Sequence, residues 1–272
     1  MAIIKNPLTI VQTGGGTNRL NEFLSGSLTT LVASDFEGMT EIPQYSFYHN
    51  ESLTNVNLPS TIQDIGQYAF SSCSSLTTIN IDELSNLRII RQSAFAYCTN
   101  FAIDIVFPST LVTLYGTAFQ SCKKLTGVDF SACTNMVSIA SGAFISCTLL
   151  SNVVLPPNLV YIQSQGFSSC PALTNIILPN KLEQIYANAF SYSGLASITI
   201  PASVTSIGNY AFNGCTNLTT MRVEATTPPT LSSTNAISTA TTQIQVPMAS
   251  VDAYKTATNW SNFADIIVGY DT

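Results

Sequence analysis

Phenylalanine returns at Phe47, Phe70, Phe95, Phe119, Phe144, Phe167, Phe190 and Phe212, and the pattern of apolar and polar positions around it returns as well. Successive intervals run from 22 to 25 residues, a period at which one repeat forms one winding of a solenoid and stacking buries a continuous core. Five positions before each Phe stands an aliphatic residue, as at Ile42, Ile65, Ile90, Leu114 and Ile185, and eight before it a second, as at Leu87, Leu111 and Leu182. From the second copy on, the residue just before Phe is small: Ala69, Ala94, Ala118, Ala143, Gly166, Ala189 and Ala211. A larger side chain there is expected to collide with a neighbouring winding, because packed interiors tolerate little added volume.

Six residues after Phe comes a leucine, then two aliphatics alternating with polar residues, as in Leu76, Ile79 and Ile81 or Leu218, Met221 and Val223. Period-two alternation over so short a run predicts a half-buried strand. Proline often follows, at Pro59, Pro108, Pro156, Pro179 and Pro201, where its missing N–H suits the end of a strand. Leu28, Leu31 and Ala33 repeat the spacing and predict a strand ahead of the first full copy. The stretch from Phe101 to Pro108 is one residue longer than its equivalents and that from Ser191 to Ile198 one residue shorter; both read as loop adjustments.

The array is bounded by atypical segments. Residues 1–27 read as an extended arm, a joint at Gly14, Gly15 and Gly16, and a short helix over about Asn18 to Leu24; residues 28–223 form the solenoid; residues 224–272 form a capping unit. In that cap, Gln243 to Val246 alternates as a strand. Ser250 is placed to cap a helix carrying Asp252 in its first turn, whose apolar face runs on through Tyr254, Trp260 and Ala264. Ile266 to Val268 closes the chain as a last strand. The glycine run lacks the Gly-Lys-Ser/Thr that gives a phosphate loop its chemistry and reads as linker.

The recurring string Leu-x-x-Ile-x-Ile-Pro-x-x-Val-x-x-Ile-Gly-x-x-Ala-Phe-x-x-Cys, followed almost position for position from Ile200 to Cys215, resembles the BspA-like subclass of leucine-rich repeats. The resemblance covers about residues 28–223. It implies a β-rich leucine-rich repeat solenoid of about eight windings with a concave parallel sheet, and surface or secreted adhesion and recognition proteins as its company. No catalytic residue and no cofactor comes with it.

Composition narrows the partners. With 46% hydrophobic and 9% charged residues the chain is ordered and core-rich. A net charge of −6 with nine Lys plus Arg argues against a nucleic-acid surface and removes the polybasic route to anionic membranes. No apolar run reaches the roughly 20 residues of a membrane span, so no membrane insertion is expected. The start, Met1 to Pro7, lacks a basic region ahead of an apolar stretch. Two routes to an extracellular or cell-surface location follow: a leader removed beforehand, or assembly into a virion or phage tail through residues 1–17.

Of seven cysteines, six (Cys73, Cys98, Cys122, Cys147, Cys170, Cys215) lie three residues after the repeat Phe. Stacked windings bring equivalent positions within disulfide distance, yet Ser193 and Asn50 interrupt the column, and a ladder of small buried thiols is the expectation. Cys133 is off register and is expected to be the exposed thiol. His49, the one histidine, is placed in a surface loop. Asp82 and Glu83 are the only adjacent acidic pair and have no partner at a recognisable metal spacing. The chain is therefore read as no enzyme. Tyr68, Tyr115, Tyr161, Tyr186 and Tyr210 are expected to pack half-buried on the returning arm.

Residues between the buried aliphatics of the strands face outward. Asn55, Asn57, Thr78, Asn80, Asp129, Asn152, Asn175, Thr199 and Arg222 form a strip rich in amides and hydroxyls, groups that donate and accept hydrogen bonds without a charge to desolvate. Two readings stand side by side. The strip binds a protein or carbohydrate on a cell surface, or its asparagines ladder between windings as ordinary strand-face residues.

Overall fold

The computed structural model describes residues 26–271, so the arm, the glycine joint and the helix expected before residue 26 lie outside the described residues. The described chain is a right-through stack of windings whose strands pair in parallel throughout. The alternating segments form a main sheet in three pieces. Thr30–Leu31, Asn55–Val56 and Thr78–Ile79 make the first; Asp104–Val106, Gly127–Asp129 and Asn152–Val154 the second; Ser197–Ile200, Thr220–Val223, Gln243–Pro247 and Ile267–Tyr270 the third.

A second column of two-residue strands, not foreseen, runs alongside. It comprises Glu41–Ile42, Asp64–Ile65, Ile89–Ile90 and Thr113–Leu114, then Ser138–Ile139, Tyr161–Ile162, Gln184–Ile185, Ser206–Ile207 and Thr230–Leu231. Each contributes one buried aliphatic, in the first eight the residue five before Phe and in the last Leu231, five before Ala236.

The phenylalanines form the spine. From Phe47 to Phe212 successive rings stack at 5.2–5.6 Å between centroids with planes within 12°, inside the range in which aromatic pairs attract beyond their area burial. Backbone geometry explains the register. The residues two before and two after each Phe sit at positive φ, as at Tyr68 (56°) and Ser72 (61°). These left-handed residues cost roughly 1–2 kcal/mol each, and what they achieve is direction. Tyr68, Phe70 and Ser72 donate their N–H groups to the next winding at Gln92, Ala94 and Ala96 carbonyls (3.1, 2.8 and 2.7 Å), while Ala69, Ser71 and Cys73 close turns within their own winding. The small residue before Phe is the acceptor in that ladder, and each is fully buried or nearly so.

All seven cysteines are free and buried. The six in register each donate Sγ–H to the carbonyl of the preceding Phe, from Cys73 to Phe47 (3.1 Å) through Cys215 to Phe190 (3.0 Å). Cys133 is also fully buried, correcting its expected exposure. Phe130 and Cys133 repeat the Phe-x-x-Cys turn one strand early, Phe130 stacks on Phe107 at 4.3 Å, and Cys133 Sγ donates to the Pro108 carbonyl at 3.4 Å.

In the C-terminal tail the strand Gln243–Pro247 forms as expected, whereas the helix is shorter, Val251–Thr256, and Ser250 makes no side-chain capping bond. Ala257 turns extended and Asn259 takes φ 65°, opening a 3-10 segment Trp260–Ile266. Buried Trp260 dictates that break: its Nε1–H donates to the Pro229 carbonyl (2.8 Å) while Asn259 Nδ2 reaches the Leu231 carbonyl (2.7 Å).

Candidate functional site

The strip occupies the outer face of the main sheet, where strands supply one exposed side chain for each buried one. Asn55, Asn57, Thr78, Asn152, Asn175 and Thr199 are exposed; Asn80, Asp129 and Arg222 are half-buried. Pairing brings Asn55 beside Thr78, Asp129 beside Val154 and Thr199 beside Arg222. The breaks in the sheet separate these groups, so the strip is three short faces and not one.

Its members do different things. Asn80 is consumed internally: Oδ1 accepts from Leu58 N–H (2.8 Å), and Nδ2 donates to Asn57 Oδ1, the Leu58 carbonyl and Glu83 Oε2 (2.8, 3.0 and 3.0 Å). Asp129 Oδ1 accepts from Ser131 N–H (2.7 Å). Arg222 lies 3.7 Å over the Tyr270 ring, a cation–π contact. By contrast, the side chains of Asn55, Thr78, Asn152, Asn175 and Thr199 make no hydrogen bond among the described residues. Gly127, on the same face, is buried beneath Asp104. A Cβ there would lie 2.5 Å from Asp104 Oδ1, which also accepts from Thr126 Oγ1 at 2.7 Å.

Openings sit at both breaks. The first, of about 370 Å³, lies between Thr78–Ile79 and Asp104–Val106, beside the 3-10 turn Ile81–Glu83, and is rimmed by Asp82, Glu83 and Asp104. The second, of about 390 Å³, lies between Asn152–Val154 and the extended segment 174–178, and no charged residue lines it. Val154 and Ile177 present exposed aliphatic surface there, Ile177 at 80%. These exposed aliphatics sit at polar positions of the alternation and were legible as such. The lengthened stretch Phe101 to Pro108 lies at the first break and the shortened stretch Ser191 to Ile198 lies where segment 174–178 parts from Ser197–Ile200, whereas the parting of 174–178 from Asn152–Val154 has no such mark.

His49 is exposed in its turn, edge-on to Tyr48 at 4.3 Å. Tyr68, Tyr161 and Tyr186 are half-buried, while Tyr115 and Tyr210 stand out further, at 45% and 39% exposure. Among the described residues no group of three or more His, Cys, Asp or Glu is placed to hold a metal, and no helix is long and apolar enough to cross a membrane.

A sequence profile of the BspA type leucine rich repeat region, in six copies, matches residues 20–136 and 137–248. Among solved structures, a leucine-rich repeat protein from Bacteroides ovatus is similar at 26% identity and TM-score 0.61, over 76% of this chain and 59% of that one. A leucine rich cell surface protein from Faecalibacterium prausnitzii shares the fold at 22% identity and TM-score 0.52, over 78% of this chain and 60% of that one. The chain thus spans about three fifths of the length of these solved relatives. No curated protein sequence matches.

Proposed function

The chain belongs to the BspA-type leucine-rich repeat family, a family of surface and adhesion-type scaffolds, and on that premise we propose that it is a non-enzymatic recognition protein acting at a cell surface. Its ligand is a protein or carbohydrate held on the outer face of the main sheet. One observation carries the reading: the carboxamides of Asn55, Asn152 and Asn175 stand exposed with no partner of their own among the described residues. Free amides offer two donors and an acceptor each, and removing one from a bound hydrogen-bonded interface leaves the opposing group unpaired, at about 1–3 kcal/mol.

The test is binding to a panel of glycans and host-surface proteins. A variant carrying Asn55→Ala, Asn152→Ala and Asn175→Ala is expected to bind at least tenfold more weakly than wild type with unchanged melting. Asn80 is left intact because its side chain joins two windings. Wild-type-like binding by the variant rejects the strip. A second reading, a phage-tail or particle appendage seated through residues 1–17, is favoured by the apolar arm and the Gly14–Gly16 joint that precede the array.

A further inference from the structure

At the second opening the parallel ladder is interrupted: Asn152–Val154 ends one piece of the main sheet, and the extended segment 174–178 of the next winding does not pair with it. In a parallel sheet a residue turns its N–H and C=O toward the same neighbour. Here the strip residues face the preceding winding, as Asn57 N–H does to the Leu31 carbonyl (2.9 Å) and Asn152 N–H to the Thr126 carbonyl (3.1 Å). The buried residue between them faces the following one. By that alternation Val153 points forward into the opening, and Asn175 and Ile177 point back into it. None of the backbone groups of Asn175, Ile176 and Ile177 makes a hydrogen bond among the described residues.

The two windings are nonetheless held together beyond the main sheet. Tyr161 and Ile162 pair with Gln184 and Ile185, and Phe167 N–H donates to the Ala189 carbonyl at 2.8 Å. They part only at the main sheet, where the opening lies. Asn175 and Ile177 are exposed, so water satisfies their backbone groups in the free chain, and an added strand exchanges those bonds for main-chain ones.

We propose that this opening binds an extended, uncharged peptide segment by strand addition, an inference that rests on the recognition reading and names its ligand class. The lips repeat their backbone donors and acceptors every two residues, roughly 6.6 Å along the strand. Another extended backbone has that repeat, and main-chain bonding of this kind is a known mode of peptide capture. Val154 and Ile177 supply apolar contacts for its alternate side chains. Charge selects the occupant: no charged residue lines the cleft, and burying an unpaired charge there is costly. The first opening also presents an exposed aliphatic, Val106, but Asp82, Glu83 and Asp104 rim it, so it does not select an uncharged occupant.

The probe is the peptide acetyl-Thr-Val-Thr-Ile-Thr-Val-amide, added to the full chain while amide hydrogen exchange is followed. Without peptide, the amides of Asn175 and Ile177 are expected to exchange at least tenfold faster than those of Tyr161 and Gln184. With peptide they slow at least tenfold. Methylating alternate peptide nitrogens abolishes the protection, and Ile177→Asp weakens binding at least tenfold with unchanged melting. Slow exchange before peptide is added, absence of protection, or equal binding of the methylated peptide overturns the proposal. Glycan binding lost in the triple Asn variant, with these amides unprotected by peptide, overturns strand addition and leaves the strip standing. Protection by peptide with no binding to any surface panel rejects the strip as a glycan or surface-protein site alone.

Discussion

A thiol in the cysteine column does two jobs, filling a small volume and donating to a Phe carbonyl on the winding before it. Ser193 fills the same volume with a hydroxyl but bonds to the following winding, its Oγ lying 3.2 Å from Cys215 Sγ. Burial pushes the Cys73 and Cys170 thiols up to about 12, because a thiolate there would lose its hydration. The unfolded thiol titrates near 8.5, so the folded state keeps these protons longer than the unfolded chain does. The stability they contribute is full below about pH 8.5 and is lost as pH rises through the folded value near 12. Thermal melts are therefore expected to fall progressively above about pH 9, and the variant Cys73→Ser with Cys170→Ser should show a shallower fall. An identical slope in that variant contradicts the assignment. Cys133 teaches the same lesson about local context. Its position looked irregular against the main Phe column, but Phe130 three residues earlier supplied the turn that buries it.

At the scale of elements, the strands of the main sheet were readable because three or four alternating residues suffice to set a face. The second column was not, since its apolar positions, as at Ile62 and Ile65, lie three apart and do not alternate. Its aliphatics were visible as periodic core residues, but their strand pairing depends on the neighbouring winding. The same dependence hides the second break: Asn175, Ile176 and Ile177 alternate as well as Asn152, Val153 and Val154 do, and only stacking decides which segment is paired. The candidate strip was legible residue by residue as exposed or half-exposed positions. That Asn80 is spent within the fold while Asn152 and Asn175 are free was not, because the difference lies across windings.

The C-terminal helix forms where expected but ends early, for a third reason. Its apolar spacing continues past Thr256, yet Trp260 has a specific carbonyl to reach and pulls the chain out of helical geometry. Trp260→Phe keeps most of the apolar bulk and orphans the Pro229 carbonyl, so a loss of about 1–3 kcal/mol in urea unfolding is expected. No measurable change would mean that the indole bond does not hold the cap.

Over the whole molecule, stability is distributed. Each winding from Phe47 to Phe212 contributes its ring to the spine and its N–H groups to the next winding, and all but the first add a thiol or hydroxyl to the cysteine column, so no single unit holds the others up. Chains of this kind behave as a sum of units and nearest-neighbour interfaces. Removing one complete winding should therefore leave a shorter protein of the same kind, while removing part of one should leave neighbouring windings out of phase. Ile139 and Ile162 are direct register partners, so deleting residues 140–162 joins equivalent points on two windings. Deleting residues 140–150 instead throws every following ring and strand out of register. Urea unfolding of the two deletion proteins measures the central claim directly. The whole-winding deletion is expected to unfold in one cooperative transition with a modestly reduced dependence on urea, and the partial deletion to lose cooperative folding. Equal damage from both deletions would contradict a solenoid built on one repeating spine.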